Sequence, residues 1–412
     1  AQVTPPITSS GLNTHISKPS GNSLQYDITA GTRAGTNLFH SFGDFSVPTN
    51  NIANFLNDSG LATSNILGRV TGGNPSHIFG TLQTTGFGGA NLFLMNPAGI
   101  VFGPNAALNV GGSVSFTTAD YLRLTDGARF NAIAGPQDAA ISSAPVAAFG
   151  FLGSNPAAIA VQGSQLAVAE GQGISLVGGN LTIQGGTLAD TTIQPARLSA
   201  PGGPINLIAV ASAGEVLTNA ASAPADPTLN GFTSLGTISL TQGADVHTSA
   251  HTAGRIVIRS GQFTMENARL EASATATAPT SPPSASATGG ISVQADNVAL
   301  SHSSNVLTSA VDGTAGNITF EVSTLRSNVG ADGIPLSGAA PVTIASTSTG
   351  QGGGGTITIA GKIGGPADAV LLSHTHIVTG VTNAVDPTVV PGNIAMTAQR
   401  VELANGTAVR AD

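Results

Sequence analysis

An all-β fold, a solenoid of short parallel strands, is predicted for these 412 residues by three observations. The first is a recurring phrase: a glycine, none or one residue, an isoleucine, one residue, then an apolar residue. It stands at Gly173-Ile174-Ser175-Leu176, Gly254-Arg255-Ile256-Val257-Ile258, Gly290-Ile291-Ser292-Val293 and Gly316-Asn317-Ile318-Thr319-Phe320. It returns at Gly236-Thr237-Ile238-Ser239-Leu240, Gly355-Thr356-Ile357-Thr358-Ile359 and Gly392-Asn393-Ile394-Ala395-Met396. Period-two alternation within each copy marks a strand, and repetition along the chain marks a stacked architecture. The second observation is a steady step to further apolar pairs. Seven residues after Ile256 comes Phe263, then Met265; seven after Ile291 comes Val298, then Leu300; seven after Ile394 comes Val401, then Leu403. A third apolar position follows at Leu188, Leu270, Val306 and Val409. The third is composition: 54 glycines, 41% hydrophobic residues, 4% aromatic residues and no tryptophan. Small branched side chains interleaved with Thr, Ser and Asn suit strands and tight turns.

Three strands per coil cannot bury their own inward face, so neighbouring coils must bury it jointly. Successive isoleucine markers lie from 18 residues apart (Ile238 to Ile256) to 39 apart (Ile318 to Ile357). The shorter value is taken as one coil and the longer ones as a coil plus an insertion. Segments 275–288, with Pro282-Pro283, and 329–341 read as such inserted loops. An open end would expose a strand edge, and the first hundred residues, less repetitive and rich in Phe, are expected to supply the cap. The last residues, Val409 to Asp412, stop where a coil would finish, and the native protein is expected to continue.

Charge narrows the function classes. Only 8% of residues are charged and the net charge is -8. Phosphate neutralisation needs clustered Lys and Arg, so no nucleic-acid partner is expected. Cysteine is absent, which suits export into an oxidising space. No run of 18 apolar residues is present to form a spanning helix. The start, Ala1-Gln2-Val3-Thr4-Pro5-Pro6, is what signal cleavage would leave.

The most informative stretch runs from Asn91 to Asn105: an apolar strand, an Asn96-Pro97 turn, and a second apolar run closed by Gly103-Pro104-Asn105. It holds no nucleophile, metal ligand or base, so it reads as a backbone device. Together with Arg69-Val70-Thr71-Gly72-Gly73-Asn74-Pro75-Ser76-His77-Ile78-Phe79-Gly80, it resembles the two-partner secretion domain of filamentous-haemagglutinin-like exoproteins. Further similar segments are Phe149-Gly150-Phe151-Leu152, Val161-Gln162-Gly163-Ser164 and Ala209 to Val216. Such families carry Asn-Pro-Asn-Leu and Asn-Pro-Asn-Gly-Ile turns. Here Asn74-Pro75-Ser76-His77 and Asn96-Pro97-Ala98-Gly99-Ile100 stand in their places, which suggests a divergent branch of the kind seen in cyanobacteria.

The resemblance implies a right-handed parallel β-helix with an N-terminal β cap and extra-helical β elements, including an excursion near residues 131–165. It places a secretion domain at 1–220 and continuing repeats at 221–412. It implies Sec-dependent export through the periplasm of a Gram-negative-type bacterium to the outside or the cell surface. The partner implied is a TpsB-type outer-membrane transporter with periplasmic POTRA domains. The exported chain, expected as a monomer, would serve adhesion, with surface glycans or other cells as targets. Asn74, Pro75, Asn96, Pro97, Gly99 and Ile100 are the candidate recognition or turn residues.

Chemistry elsewhere is sparse. His374-Thr375-His376 is the best metal candidate, since residues two apart in a strand share a face, but no third ligand is placed near it. Asp and Glu total 21; Glu266 with Glu271, and Asp190 with Arg197, form no cluster recurring on successive coils. General acid–base work needs groups converging in a cleft, so neither an enzyme nor a cofactor is expected. Gly352 to Gly355 lacks the Gly-Lys-Ser/Thr ending of a phosphate loop and reads as a flexible turn. The Thr/Ser-rich segment 272–288 could accept glycans, and its Pro and Ala richness equally marks a plain linker. Two rival classes remain: a polysaccharide-active β-helix enzyme, which a carboxylate cluster on one solenoid face would favour, and a host-ligand binder whose specificity lies in the loops at 275–288 and 329–341.

Overall fold

Asparagine or glycine at the head of each coil, with an aliphatic residue behind it, sets the strand register throughout the computed structural model, which describes residues 5–135, 141–218, 226–275, 289–350, 352–383 and 389–412. The chain divides into two units: Ala1–Thr182 with Gly186–Ala196 and Ile208–Gly236, and Ile183–Gly185 with Arg197–Leu207 and Thr237–Asp412.

In the first unit, strands Asn37–Phe45, Asn65–Val70, Asn91–Met95, Val114–Thr117 and Ile174–Gly178 pair in parallel, each on the next. A second ladder joins Ser76–Ile78, Ile100–Phe102 and Ile159–Gln162. A third joins Gln25–Ala30, Ile52–Leu56, Thr81–Thr85 and Ala107–Asn109. This is a parallel β-helix. Leu38, Ile66, Leu92, Val114 and Ile174 form one inward column, all buried. Each such side chain contributes about 1.5–3 kcal/mol of hydrophobic free energy.

Two columns of side-chain amides run beside the apolar ones. Asn65 Nδ2 donates to Asn37 Oδ1 at 2.9 Å, Asn91 Nδ2 to Asn65 Oδ1 at 3.1 Å, and Ser113 N to Asn91 Oδ1 at 3.1 Å. Asn37 Nδ2 donates in turn to the carbonyls of Ser142 and Ala144. In the third ladder, Asn54 Nδ2 donates to Asp27 at 2.8 Å and Asn109 Nδ2 to Gln83 at 3.0 Å. Stacking similar coils places donor over acceptor, so these amides, the exposed Asn109 included, find partners within the protein.

The cap is shorter than expected. Ile7–Gly11 pairs antiparallel with Asn37–Phe45, and Thr14–Ser17 with Gln25–Ala30. These strands close the first edge. The early phenylalanines instead fill the parallel coils: Phe42, Phe45 and Phe55 pack ring against ring, as do Phe102 and Phe116. The glycine phrase does not mark these coils because asparagine (Asn37, Asn65, Asn91) takes the head position.

The extra-helical element is a five-stranded antiparallel sheet, ordered Arg129–Asn131, Tyr121–Leu124, Val146–Phe151, Gly214–Leu217 and Thr228–Asn230. Its inner face (Leu122, Leu124, Phe130, Phe149, Phe151, Val216) packs on the outward residues Phe39, Leu67 and Val177 of the helix. That covering explains runs such as Asn91-Leu92-Phe93-Leu94-Met95, where alternation fails because both faces are covered.

In the second unit, Arg255–Glu266, Gly290–Ser301 and Asn317–Ser327 are long strands that bend through a corner and pair along their length. Ile357–Ala360 and Ala367–Ser373 continue the stack, followed by Ile394–Met396 and Ala398–Ala404. Ile256, Ile291, Ile318, Ile357 and Ile394 form one column. The other face runs Arg197–Ser199, Asp245–His247, Arg269–Ala274, Asn305–Ala310, Val342–Thr349, Thr375–Thr382 and Ala408–Ala411. Leu270, Val306 and Val409 share a column there, as the spacing predicts.

Two expectations of register are corrected. Ile238 stacks on Phe263, in the second-strand column and not on the marker Ile256, so 18 residues is not a coil. Stacked partners lie from 22 residues apart (Leu92 to Val114) to 60 apart (Val114 to Ile174), insertions included. Leu188 is absent from the third-strand column because an inserted hairpin, Gly186–Thr187 with Ile193–Gln194, takes it out of phase. Leu198 stands in the column instead, paired with Val246.

Candidate functional site

The Asn-Pro turns sit at one corner of successive coils. Strand Asn91–Met95 ends at Asn96, whose main-chain N–H donates to Thr117 O at 2.9 Å. Pro97 presets the turn, and Gly99 N closes it on Asn96 O at 3.1 Å. Asn96 Oδ1 accepts from Ala98 N at 2.9 Å. Its Nδ2 donates downward to Asn74 O at 3.0 Å and Ser76 Oγ at 2.9 Å. Asn96 is fully buried, and its side chain joins its own turn to the turn one coil below. Gly99, with φ +117°, occupies backbone space in which a Cβ would lie 3.3 Å from Ala158 O. Ile100 follows as a buried member of the second ladder, its N–H on Ala158 O at 3.2 Å.

Asn74 and Pro75 differ in kind. Both are exposed. Asn74 Nδ2 reaches Asp44 Oδ1 at 2.9 Å on the preceding coil. The six residues singled out from sequence therefore meet at one corner: four belong to a satisfied, stacked turn, and two present side chains to solvent. Ser76, standing where the family's third asparagine would be, is buried and accepts from Asn96.

The extra-helical sheet holds a second constellation that sequence reasoning missed. Glu215 takes Arg123 Nε and Nη2 at 2.9 Å each and Tyr121 Oη at 2.9 Å. The Arg123 bonds foremost, against the cost of burial, hold the Glu215 carboxyl below the usual range. The Tyr121 ring lies across its cross-strand neighbour Gly150 and under the Arg129 guanidinium. Arg69, fully buried, ties the helix to this sheet: Nε donates to Ser41 Oγ at 2.9 Å and Nη1 to Asn131 O at 2.9 Å, and the guanidinium lies over Phe130. A lone arginine in the apolar run Ile66 to Val70 was the available signal.

The remaining candidates fall apart geometrically. His374 lies outside the strand Thr375–Thr382 in a left-handed conformation, φ +42°, so the two-residue rule does not put it on a face with His376. Among the described residues no group of three His, Asp or Glu is placed to hold a metal. Glu266 ends one strand near His302, whereas Glu271 pairs with Arg269 at 2.6 Å on another. Asp190 caps its own turn, accepting from Thr192, whose hydroxyl bond foremost holds its carboxyl low. Arg197 lies by Asp245 at 3.4 Å. Gly354 and Gly355 are packed against neighbouring backbone and are no loose turn. Loop 329–341 carries an exposed Ile334, and segment 276–288 lies outside the described residues.

A family model described as the TPS secretion domain matches residues 1–263. The chain belongs to this family. The fold is similar to that of the HMW1 secretion domain from Haemophilus influenzae, at TM-score 0.50 and 16% identity, covering 96% of this chain and 99% of that one. It is similar also to a filamentous hemagglutinin secretion domain, at TM-score 0.38 and 14% identity over 97% and 99% of the two chains. No curated protein sequence matches the chain. As a TPS secretion domain, it is the secretion-directing part of a two-partner secretion exoprotein, which implies an outer-membrane transporter of the TpsB type and export through the periplasm.

Proposed function

We propose that this TPS secretion domain is recognised by the periplasmic POTRA domains of its transporter through the exposed Asn74-Pro75 turn, and that the stacked Asn96 turn seeds the β-helix as the chain emerges. The observation that carries this reading is the split at the corner. Asn96 is buried with both side-chain polar atoms bonded inside the protein, while Asn74 and Pro75 are exposed one coil away. A buried, satisfied amide serves folding; an exposed rigid turn is available to a partner. Neighbour-only contacts between coils let folding propagate one coil at a time, and a chain without cysteine forms no disulfide to obstruct threading. Adhesion, with surface glycans or other cells as targets, is the proposed role of the exported protein, a role that itself needs no catalysis, and a monomer is the form proposed.

The test is secretion with the cognate transporter co-expressed. Asn74→Ala with Pro75→Ala is expected to cut the secreted amount about tenfold while the purified domain keeps its midpoint of unfolding. Normal secretion of that variant removes the recognition role. Proline at the inward positions Ile256 and Ile291 is expected to slow export, and unchanged export removes the coil-by-coil mechanism.

A further inference from the structure

In the second unit, strands Arg197–Ser199, Asp245–His247 and Arg269–Ala274 lie in parallel register, with Ser199 beside His247 and His247 beside Glu271. Leu198, Val246 and Leu270 turn inward and are buried, so the residues flanking them face outward on one sheet surface. There Ser199 Oγ lies 2.9 Å from His247 Nε2, and His247 Nδ1 lies 3.2 Å from Asp245 Oδ2. His247 is 9% exposed and held between its neighbours, while Ser199 is half-buried. Asp245 and His247 are two apart on one strand, and in the Nδ1–H tautomer the ring donates to the carboxylate and turns its Nε2 lone pair toward Ser199; Arg197 Nε also lies 3.4 Å from Nδ1. Arg197, two residues before Ser199 on the same face, brings Nη2 to 3.1 Å from that Nε2. Burial opposes ionisation of Asp245, but the bond from His247 and the charges of His247, Arg197 and Arg269 outweigh it and hold the carboxyl below its usual range.

We propose that Ser199, His247 and Asp245 act as nucleophile, base and orienting carboxylate in the hydrolysis of small carboxylic esters, with Arg197 as the cation beside the developing oxyanion. The Ser199–His247 and His247–Asp245 distances are those of a hydrogen-bonded relay, and geometry of this kind arises on unrelated folds. Ser199 Oγ bonds to the ester carbonyl carbon as its proton passes to Nε2; Nδ1–H stays on the imidazolium, stabilised by Asp245. The carbonyl oxygen, now an anion, takes up the Arg197 Nη2 donor that Nε2 shares in the free protein. Collapse breaks the carbon–oxygen bond to the leaving alcohol, which departs with the proton from Nε2. Water then attacks the acyl-serine, giving up a proton to the same nitrogen, and the carboxylic acid and free Ser199 result. An outward sheet face suits an ester presented from outside, such as an acetyl group carried on a longer polymer. The proposal does not depend on transporter recognition.

The test uses the purified full chain with a fluorophosphonate probe and with p-nitrophenyl acetate. Labelling is expected at Ser199 in the folded chain and not after denaturation, mapped by peptide mass spectrometry. Ser199→Ala, a change of one half-buried oxygen, is expected to abolish the label and the ester turnover that the folded state adds. His247→Gln is expected to slow turnover about 100-fold, the usual share of a general base. Absence of label at Ser199, or equal turnover by Ser199→Ala with an unchanged unfolding midpoint, overturns the proposal.

Discussion

Gly355 stacks over Gly316 so closely that a Cβ on Gly355 would lie 2.4 Å from the Gly316 carbonyl oxygen. The same holds along the stack: a Cβ on Gly316 would lie 2.1 Å from Gly289 O, and one on Gly392 would lie 2.0 Å from Gly355 O. Buried hydroxyls pin this glycine corner from inside. Thr308 Oγ1 and Ser346 Oγ donate to Gly316 O at 2.6 and 2.9 Å, and Thr379 Oγ1 to Gly355 O at 2.8 Å. The repeated glycine of the sequence is therefore the place where backbones of adjacent coils touch.

Gly355→Ala is expected to lower stability by about 1–3 kcal/mol, the usual range of overpacking. Gly313→Ala, where nothing lies within 4 Å of the added carbon, is expected to change it by under about 0.5 kcal/mol. Denaturant midpoints of the two variants check the contrast.

Asn96→Ala leaves Ala98 N, Asn74 O and Ser76 Oγ each short of a partner in or near the core. A loss of about 3 kcal/mol is expected, given roughly 1–3 kcal/mol for an unsatisfied buried group. Asn74→Ala removes one exposed bond, to Asp44, and is expected to cost under about 1 kcal/mol. Urea unfolding of both separates the folding role from the surface one.

His40 is buried against Phe42 and Phe55, with Nδ1 3.2 Å from Thr14 Oγ1. Burial, then the Arg33 charge, partly offset by Asp58, lowers its pKa from 6.5 to about 4. The unfolded chain binds the proton first, so stability is full above about pH 6.5 and falls as pH drops toward 4. The loss at the bottom of that window is about 3 kcal/mol. Unfolding midpoints across this range should slope for the natural chain and flatten for His40→Gln.

Arg69→Met keeps the stem volume but removes the bonds to Ser41 and Asn131 and the contact with Phe130. The antiparallel sheet is expected to loosen from the helix before the coils unfold, at a cost of about 2 kcal/mol. Hydrogen exchange should quicken in residues 121–131 and 146–151 and stay slow in Asn91–Met95. Uniform protection would show that the sheet is held by its apolar face alone.

The repeat chemistry of this chain determined its class. Isoleucine columns, the seven-residue step to Phe263 and Val298, the third-strand positions Leu270, Val306 and Val409, and the Asn96-Pro97 turn could all be read from local pattern, because a coil repeats the same demands on the same residue types. Phase was another matter. Ile238 carries the marker yet pairs with Phe263, and Leu188 carries the spacing yet sits in a hairpin, because insertions shift register without altering local alternation. Only the tertiary structure decided which turn residues are buried and which are open, since Asn74 and Asn96 look alike until the coils are stacked. It alone set Arg69 over Phe130 and brought Ser199 to His247 across 48 residues, because contacts between coils depend on how much chain each coil consumes, and that length is written in no single motif.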